Sequence, residues 1–137
     1  GRADFIARAR RVRKMVGGGM RQAGVIAAAG IVALTDMVER LAADHRNARM
    51  LAEGLAEFPG LRLDLDTVHT NIVIFGPERP RPEGSSFAHV LAREGVKVGD
   101  IGGGRFRAVT HYGIVEADIQ RALGIMRRVW REVFPSG

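Results

Sequence analysis

The sequence predicts an α/β fold of the α+β kind, in which a short, mainly antiparallel sheet has helices on one face and is preceded by connecting helices. Three observations predict it. Apolar residues recur at helical spacing as far as residue 57. From residue 61 onward, short alternating segments are interspersed with helical ones. The chain has 137 residues and is 46% apolar, which is enough for one hydrophobic core.

Residues 4–16 have the pattern of a helix. Phe5, Ala9, Val12 and Val16 form one apolar stripe, and four arginines and Lys14 fill more than half of the other positions. Charges on the open face of a helix are usually solvated. The functional alternative is a cationic wall around an anionic ligand or a nucleic acid.

Three glycines, Gly17–Gly19, follow between Lys14 and Arg21. A glycine inside a helix costs about 1 kcal/mol relative to alanine, so the segment predicts a turn. A turn that leads into a helix N-terminus can offer free backbone N–H groups to an anion, and Lys14 and Arg21 would add two positive charges. The alternative is a simple elbow between two helices.

Small residues dominate residues 20–34, which predicts a buried helix that another backbone can approach closely. Thr35 and Asp36 are typical of a helix cap, and a second helix is predicted for residues 36–57. His45 lies at the edge of its apolar stripe and is predicted to be structural, since no second metal ligand lies one turn away.

The rest of the chain alternates strands and helices. We predict a half-buried strand at 61–66, a central strand at 71–75, a loop at 76–84, a helix that Ser85 or Ser86 caps and that ends near 94, an edge strand at 96–98, a strand at 105–111 and a helix at 116–134.

Arg107 lies between two core positions of its predicted strand, Phe106 and Ala108. Burying an arginine is costly unless an anion pairs with it. The partner could be a local carboxylate in a structural salt bridge. Alternatively, the guanidinium could bind a substrate carboxylate through two parallel hydrogen bonds.

Composition narrows the functional classes. The net charge of +6 and the pI of about 11.1 favour a nucleic acid or an anionic ligand as partner. Aromatic residues make up only 6%, which weighs against a base-stacking surface. The absence of cysteine excludes disulfides and thiolate metal sites. No apolar run reaches 18 residues, so we expect no membrane partner and a soluble, cytoplasmic protein. The start at Gly1, without methionine, is typical of the middle of a longer polypeptide.

Over essentially its whole length the chain resembles the C-terminal part of the low-specificity L-threonine aldolases. These are pyridoxal-phosphate enzymes of fold type I, the aspartate-aminotransferase-like fold. The segments that carry the resemblance are Arg13 to Gln22 with the alanine-rich helix that follows, Asp44 to Ala48, Thr70 to Val73, and Arg107 to His111.

The resemblance implies cleavage of L-threonine and L-allo-threonine to glycine and acetaldehyde. Pyridoxal phosphate acts as the electron sink while the Cα–Cβ bond breaks. The family also implies a homodimer or homotetramer with shared active sites, no nucleic-acid partner and no metal. The Schiff-base lysine of the family lies upstream of the basic helix, and neither Lys14 nor Lys97 occupies its position. The isolated chain is therefore expected to be inactive and to contain no catalytic residue.

The family's site residues can be carried over one by one. Arg107 would bind the substrate α-carboxylate, and His111 would lie beside it, orienting Arg107 or the strand end. Lys14 and Arg21 would lie near the cofactor phosphate, reaching it from a neighbouring subunit. Tyr112-Gly113-Ile114 departs from the Leu-Asp-Val of many relatives. Residues 1–35 would connect to the large cofactor domain, and residues 36–137 would form the small domain.

Two other functional classes remain. One is a basic nucleic-acid-binding domain built on the first helix, which predicts salt-sensitive binding to duplex DNA by the chain alone. The other is a non-catalytic domain that dimerises through the alanine-rich helix, which predicts a stable dimer and no cofactor. The aldolase hypothesis predicts a yellow holoprotein only when the lysine-bearing region is present.

Overall fold

A computed structural model describes residues 1–79 and 84–135 of the chain, which forms two compact units, Gly1–Glu39 and Arg40–Gly137. The first unit contains helices α1 (Ala3–Met15) and α2 (Gly24–Thr35). The second contains, in order, α3 (Leu41–Ala56), β1 (Leu61–Arg62), a 3-10 turn (Leu65–Thr67), β2 (Ile72–Pro77), α4 (Gly84–Arg93), β3 (Gly99–Asp100), β4 (Phe106–Val109) and α5 (Glu116–Val133).

The four strands form one antiparallel sheet in the order β1-β2-β4-β3. Alternate residues of β2 and β4 point to opposite faces, as the period of a strand requires. One face is buried against α3, α4 and α5, and the other carries partly exposed side chains. The predicted mainly antiparallel sheet with helices on one face is confirmed, and β2 is the central strand expected at residues 71–75.

Aromatic side chains form the centre of the core between the sheet and the helices. The ring of Phe87 on α4 lies 4.8 Å from that of Phe106, 5.3 Å from that of Trp130 and 5.8 Å from that of Phe134, measured between centroids. The indole N–H of Trp130 donates to the carbonyl of Pro59 at 3.0 Å, so the buried indole has its hydrogen-bond partner. These contacts join α4 and α5 to the sheet.

The prediction of a buried helix at residues 20–34 is wrong for this chain. Neither α1 nor α2 has a buried residue, and Val25, Ile31 and Leu34 are 79%, 62% and 77% exposed. The first unit is too small to enclose a helix that is apolar on all sides, because a short chain buries a smaller fraction of its surface. The apolar side chains of α2 therefore remain on the surface of the first unit.

The second predicted helix begins five residues later than expected, at Leu41 instead of residue 36. The hydroxyl of Thr35 donates back to the carbonyl of Ile31 at 3.0 Å, so it belongs to the end of α2 and does not cap the next helix. Residues 36–40 form turns between the two helices.

Two predicted strands are also displaced. The strand at 61–66 ends at Arg62, because the Asp64 carboxylate accepts the Asp66 N–H at 3.0 Å and starts the 3-10 turn. The strand predicted at 96–98 is replaced by β3, because the Val96 N–H bonds back to the Leu91 carbonyl at 2.9 Å and completes the end of α4.

At α4, the predicted serine cap is wrong, because the helix begins at Gly84, ahead of both Ser85 and Ser86. Part of the predicted loop at 76–84, residues 80–83, lies outside the described residues.

Candidate functional site

Arg107 lies in the middle of β4, on the sheet face opposite to the helices of its unit. Its cross-strand partner on β2 is Ile74, and its partner on β3 is Gly99. Ile74 and the next outward residue of β4, Val109, are 45% and 43% exposed. The surroundings of Arg107 on this face are therefore aliphatic on one side and without a side chain on the other.

The Arg107 side chain has no ion pair and no hydrogen bond among residues 1–79 and 84–135. The structural salt bridge to a local carboxylate, one of the two alternatives for Arg107, is therefore not formed among these residues. A guanidinium stays charged at physiological pH and presents its N–H donors in a fork that matches a carboxylate. Arg107 is therefore free to bind an anionic ligand.

His111 follows β4 and is exposed. Its Nδ1 lies 2.8 Å from the carbonyl oxygen of Tyr112, which places its hydrogen bond at the strand end. No hydrogen bond among the described residues joins His111 to Arg107. Of the two roles expected for His111, this contact supports the one at the strand end.

A set of hydrogen bonds fixes the segment 110–114 that carries His111. Thr110 is 2% exposed, and its hydroxyl donates to the backbone carbonyl of Asp44 at 2.7 Å. The side-chain amide of Asn71 donates to the carbonyl of Thr110 at 2.7 Å. The side-chain amide of Asn47 donates to the carbonyl of Ile114 at 2.9 Å. Two elements, α3 and the start of β2, thus hold the end of β4.

A partly buried ion pair adds a further contact to the same segment. The Asp44 carboxylate accepts two hydrogen bonds from Arg40, at 2.6 and 3.0 Å, and its side chain is only 4% exposed. The Arg40 guanidinium lies 5.0 Å from the centroid of the Tyr112 ring, within the range of a cation–π contact. Tyr112 therefore packs against Arg40. It is one of the three residues at which this sequence departs from the pattern of the family that it resembles.

Sequence reasoning assigned no role to Asp44, Asn47, Asn71 or Thr110, although all four lie in the segments that carry the resemblance. The signal that could have identified them is the residue type. An asparagine or threonine beside a strand end is available to bond backbone groups that the ladder leaves unpaired.

The glycine turn does not offer its own amides to a ligand. The N–H groups of Gly17 and Gly18 bond to the carbonyls of Lys14 and Arg13, at 3.3 and 2.7 Å, and that of Gly19 bonds to the Gly17 carbonyl at 2.8 Å. The expectation of free N–H groups at these glycines is wrong, because the turn completes the C-terminus of α1. An anion at this turn would therefore have to be bound by side chains and not by the amides of these glycines.

Lys14 and Arg21, the two cations beside this turn, are both exposed. The Lys14 ammonium lies 3.3 Å from the position that a Cβ at Gly19 would take, so it folds back over the turn. Neither cation has an ion pair within the described part of the chain. Both therefore remain available to an anion through their side chains.

The described residues contain no group of three or more side chains that could hold a metal ion, and His45 is exposed on α3. No described helix is both long and apolar enough to cross a membrane.

Comparison with known proteins identifies the family. The model of the beta-eliminating lyase family matches residues 1–77. The chain is 39% identical to the probable low-specificity L-threonine aldolase 2 of Arabidopsis thaliana, over 95% of this chain and 37% of that protein. It is 35% identical to the low-specificity L-threonine aldolase 1 of the same plant, over 93% of this chain and 36% of that protein. It is also 60% identical over 57 residues to the low specificity L-threonine aldolase of Escherichia coli K12, over 42% of this chain and 17% of that protein.

The chain spans a little more than a third of the length of the two plant relatives. The family match covers more than half of the chain and includes the basic helix, the glycine turn, α2 and the central strand β2. The chain therefore belongs to the beta-eliminating lyase family.

Proposed function

We propose that this chain is part of a pyridoxal-phosphate-dependent aldolase that cleaves L-threonine and L-allo-threonine to glycine and acetaldehyde. Membership of a lyase family and the similarity to proteins named as threonine aldolases support this proposal. The observation that carries it is the unpaired Arg107 on the uncovered face of the sheet. An amino-acid substrate always brings the carboxylate that such an arginine binds.

Arg107 would hold the substrate by its α-carboxylate through two parallel N–H···O bonds. The aliphatic side chains of Ile74 and Val109 would border this ion pair and bring no competing charge to it. The result is a fixed orientation of the Cα–Cβ bond relative to the cofactor. Orientation of this kind lowers the barrier without any chemical step by the arginine itself.

The cofactor carries a phosphate that needs positive charge. Lys14 and Arg21 fit this requirement, since both are exposed cations without an ion pair among the described residues, whereas the amides of Gly17–Gly19 are already bonded. We propose that the two cations hold the phosphate at an active site shared between subunits of a homodimer or homotetramer. When bound, pyridoxal phosphate supplies an aldehyde that condenses with the substrate amine and a ring that accepts electrons.

Neither lysine of this chain is proposed to hold the cofactor covalently. Lys14 is assigned to the phosphate, and Lys97 lies exposed in the segment before β3. The chain by itself is therefore expected to cleave no threonine, and activity is expected only from a protein that also supplies a Schiff-base lysine.

The test compares the complete product of the gene with the 137-residue chain, both incubated with pyridoxal phosphate and L-threonine. The proposal expects glycine and acetaldehyde in equal amounts from the first and none from the second. Intact mass measured on each sample identifies which polypeptide was assayed. A complete gene product that binds the cofactor but forms no glycine from either threonine isomer would overturn the proposal.

A nucleic-acid-binding domain is the alternative that one observation favours, namely the exposure of every described cation of α1. It expects the chain alone to bind duplex DNA, with an affinity that falls steeply as salt rises. Binding of this kind, together with no threonine cleavage by the complete gene product, would replace the aldolase proposal.

A further inference from the structure

Asn71 and Thr110 join the start of β2 to the end of β4. The Thr110 N–H donates to the Asn71 carbonyl at 2.9 Å, and the Asn71 side-chain Nδ2 donates to the Thr110 carbonyl at 2.7 Å. In a regular antiparallel ladder the second of these bonds would come from a backbone N–H. The Asn71 side chain therefore extends the pairing of the two strands by one residue beyond Ile72 and Val109.

The other contacts of this segment lead to a different part of the unit. The Thr110 hydroxyl, the Ile114 carbonyl and the Tyr112 ring are held by Asp44, Asn47 and Arg40, all at or just before the first turns of α3. These contacts fix the segment 110–114 relative to the helix layer. The Asn71 side chain helps to fix it relative to β2, the strand whose Ile74 faces Arg107. The Thr110 N–H and, at 3.5 Å, the Thr110 hydroxyl add bonds to the Asn71 carbonyl.

We propose that Asn71 is a positioning residue of the substrate site. Its side-chain amide holds the segment 110–114, and with it His111, at the C-terminal end of β4, the strand that carries Arg107. This inference rests on the proposed function, because it assigns His111 to the site that binds the amino acid. Asn71 acts on the substrate only through this segment and makes no contact with the substrate itself.

The first experiment measures threonine cleavage by the complete gene product and its Asn71→Asp variant, which keeps the shape of the side chain and removes its N–H donor. We expect KM to rise about tenfold while kcat stays within about threefold, because the bound geometry is disturbed and the chemistry is not. Trp130→Phe is the matched control, since it removes another buried side-chain donor to a distant carbonyl and is expected to leave both constants unchanged. Asn71→Ala serves as a second variant without a new charge.

The second experiment repeats both Asn71 substitutions in a His111→Ala background. If Asn71 acts through His111, they should now change KM by less than about twofold, because the two residues share one effect. An equal rise in KM in both backgrounds, or an unchanged KM in the single variants, would overturn the inference and leave the proposed function standing. A wild-type protein that cleaves no threonine would overturn the proposed function and this inference together.

Discussion

Arg107 and Ile74 lie directly opposite each other on β4 and β2, on the sheet face that points away from the helices of their unit. An isoleucine cannot neutralise a guanidinium, and Gly99 on the other side has no side chain at all. Neither neighbour pairs with the charge of Arg107, so the guanidinium can pair with a ligand. The pair therefore combines an uncompensated cation with an apolar neighbour that brings no competing charge.

A carboxylate placed at Ile74 should compete with the substrate. In Ile74→Glu the new side chain stands directly opposite Arg107, where cross-strand Cβ atoms are about 5 Å apart, and we expect KM for threonine to rise about tenfold. Ile74→Gln is the neutral control and should change KM far less. Equal effects of glutamate and glutamine would show that steric change, and not charge, is responsible.

The position of Arg107 illustrates what the sequence predicts well. The alternation of Phe106, Ala108 and Thr110 predicts the buried face of the strand. Because the period of a strand is two residues, it also predicts that Arg107 lies on the opposite face. The sequence could not decide between a local carboxylate and a ligand. That choice depends on Ile74 and Gly99, which are brought to Arg107 by strand pairing and not by sequence proximity.

The failures have local causes. Leu61, Leu63 and Leu65 alternate as in a strand, but the carboxylate of Asp64 bonds the Asp66 N–H and turns the chain. The free amides expected at Gly17–Gly19 were wrong because a glycine that follows a helix commonly bonds back to the last carbonyls. In both places a hydrogen bond within a few residues decides the local structure.

The cofactor phosphate provides a prediction for the first unit. Replacing Lys14 or Arg21 by alanine in the complete gene product should weaken pyridoxal-phosphate binding about tenfold each, because each change removes one charge-assisted contact. Titration of the apoprotein, followed by the absorbance of the bound cofactor, measures this change. Arg10→Ala removes a cation of α1 that is not assigned to the site, and it should leave the dissociation constant unaltered.

The Arg40–Asp44 pair should contribute to stability. Arg40→Ala leaves the Asp44 carboxylate, 4% exposed, without its two guanidinium bonds, and we expect the free energy of unfolding to fall by about 2–3 kcal/mol. Chemical denaturation measures the loss. The control is Arg128→Ala, which breaks an ion pair with Glu94 whose side chains are 53% and 41% exposed, and which should cost less than about 1 kcal/mol. A similar loss in both variants would contradict a special role for the Arg40–Asp44 pair.

Two glycines of the second unit should respond to alanine with opposite signs. A Cβ at Gly76 would lie 2.5 Å from the carbonyl oxygen of Gly104, a backbone atom, so we expect Gly76→Ala to lower the free energy of unfolding by about 1–3 kcal/mol. Gly124 lies on the exposed side of α5 with no atom within 4 Å of such a Cβ. Gly124→Ala should therefore raise it by about 0.5–1 kcal/mol. A stable Gly76→Ala protein would show that β2 and the segment at Gly104 can separate.

The most direct measurement of the central claim is KM for L-threonine in the complete gene product with Arg107→Ala, compared with Arg105→Ala. Arg105 lies two residues before Arg107, immediately ahead of β4, and both arginines are exposed, so Arg105→Ala removes a nearby charge that is not assigned to the site. We predict that KM rises about a hundredfold for Arg107→Ala, which corresponds to about 3 kcal/mol for the loss of two parallel charge-assisted hydrogen bonds. Arg105→Ala should change it less than about twofold. An unchanged KM in Arg107→Ala, or the same rise in both variants, would contradict the assignment of Arg107 to the substrate carboxylate.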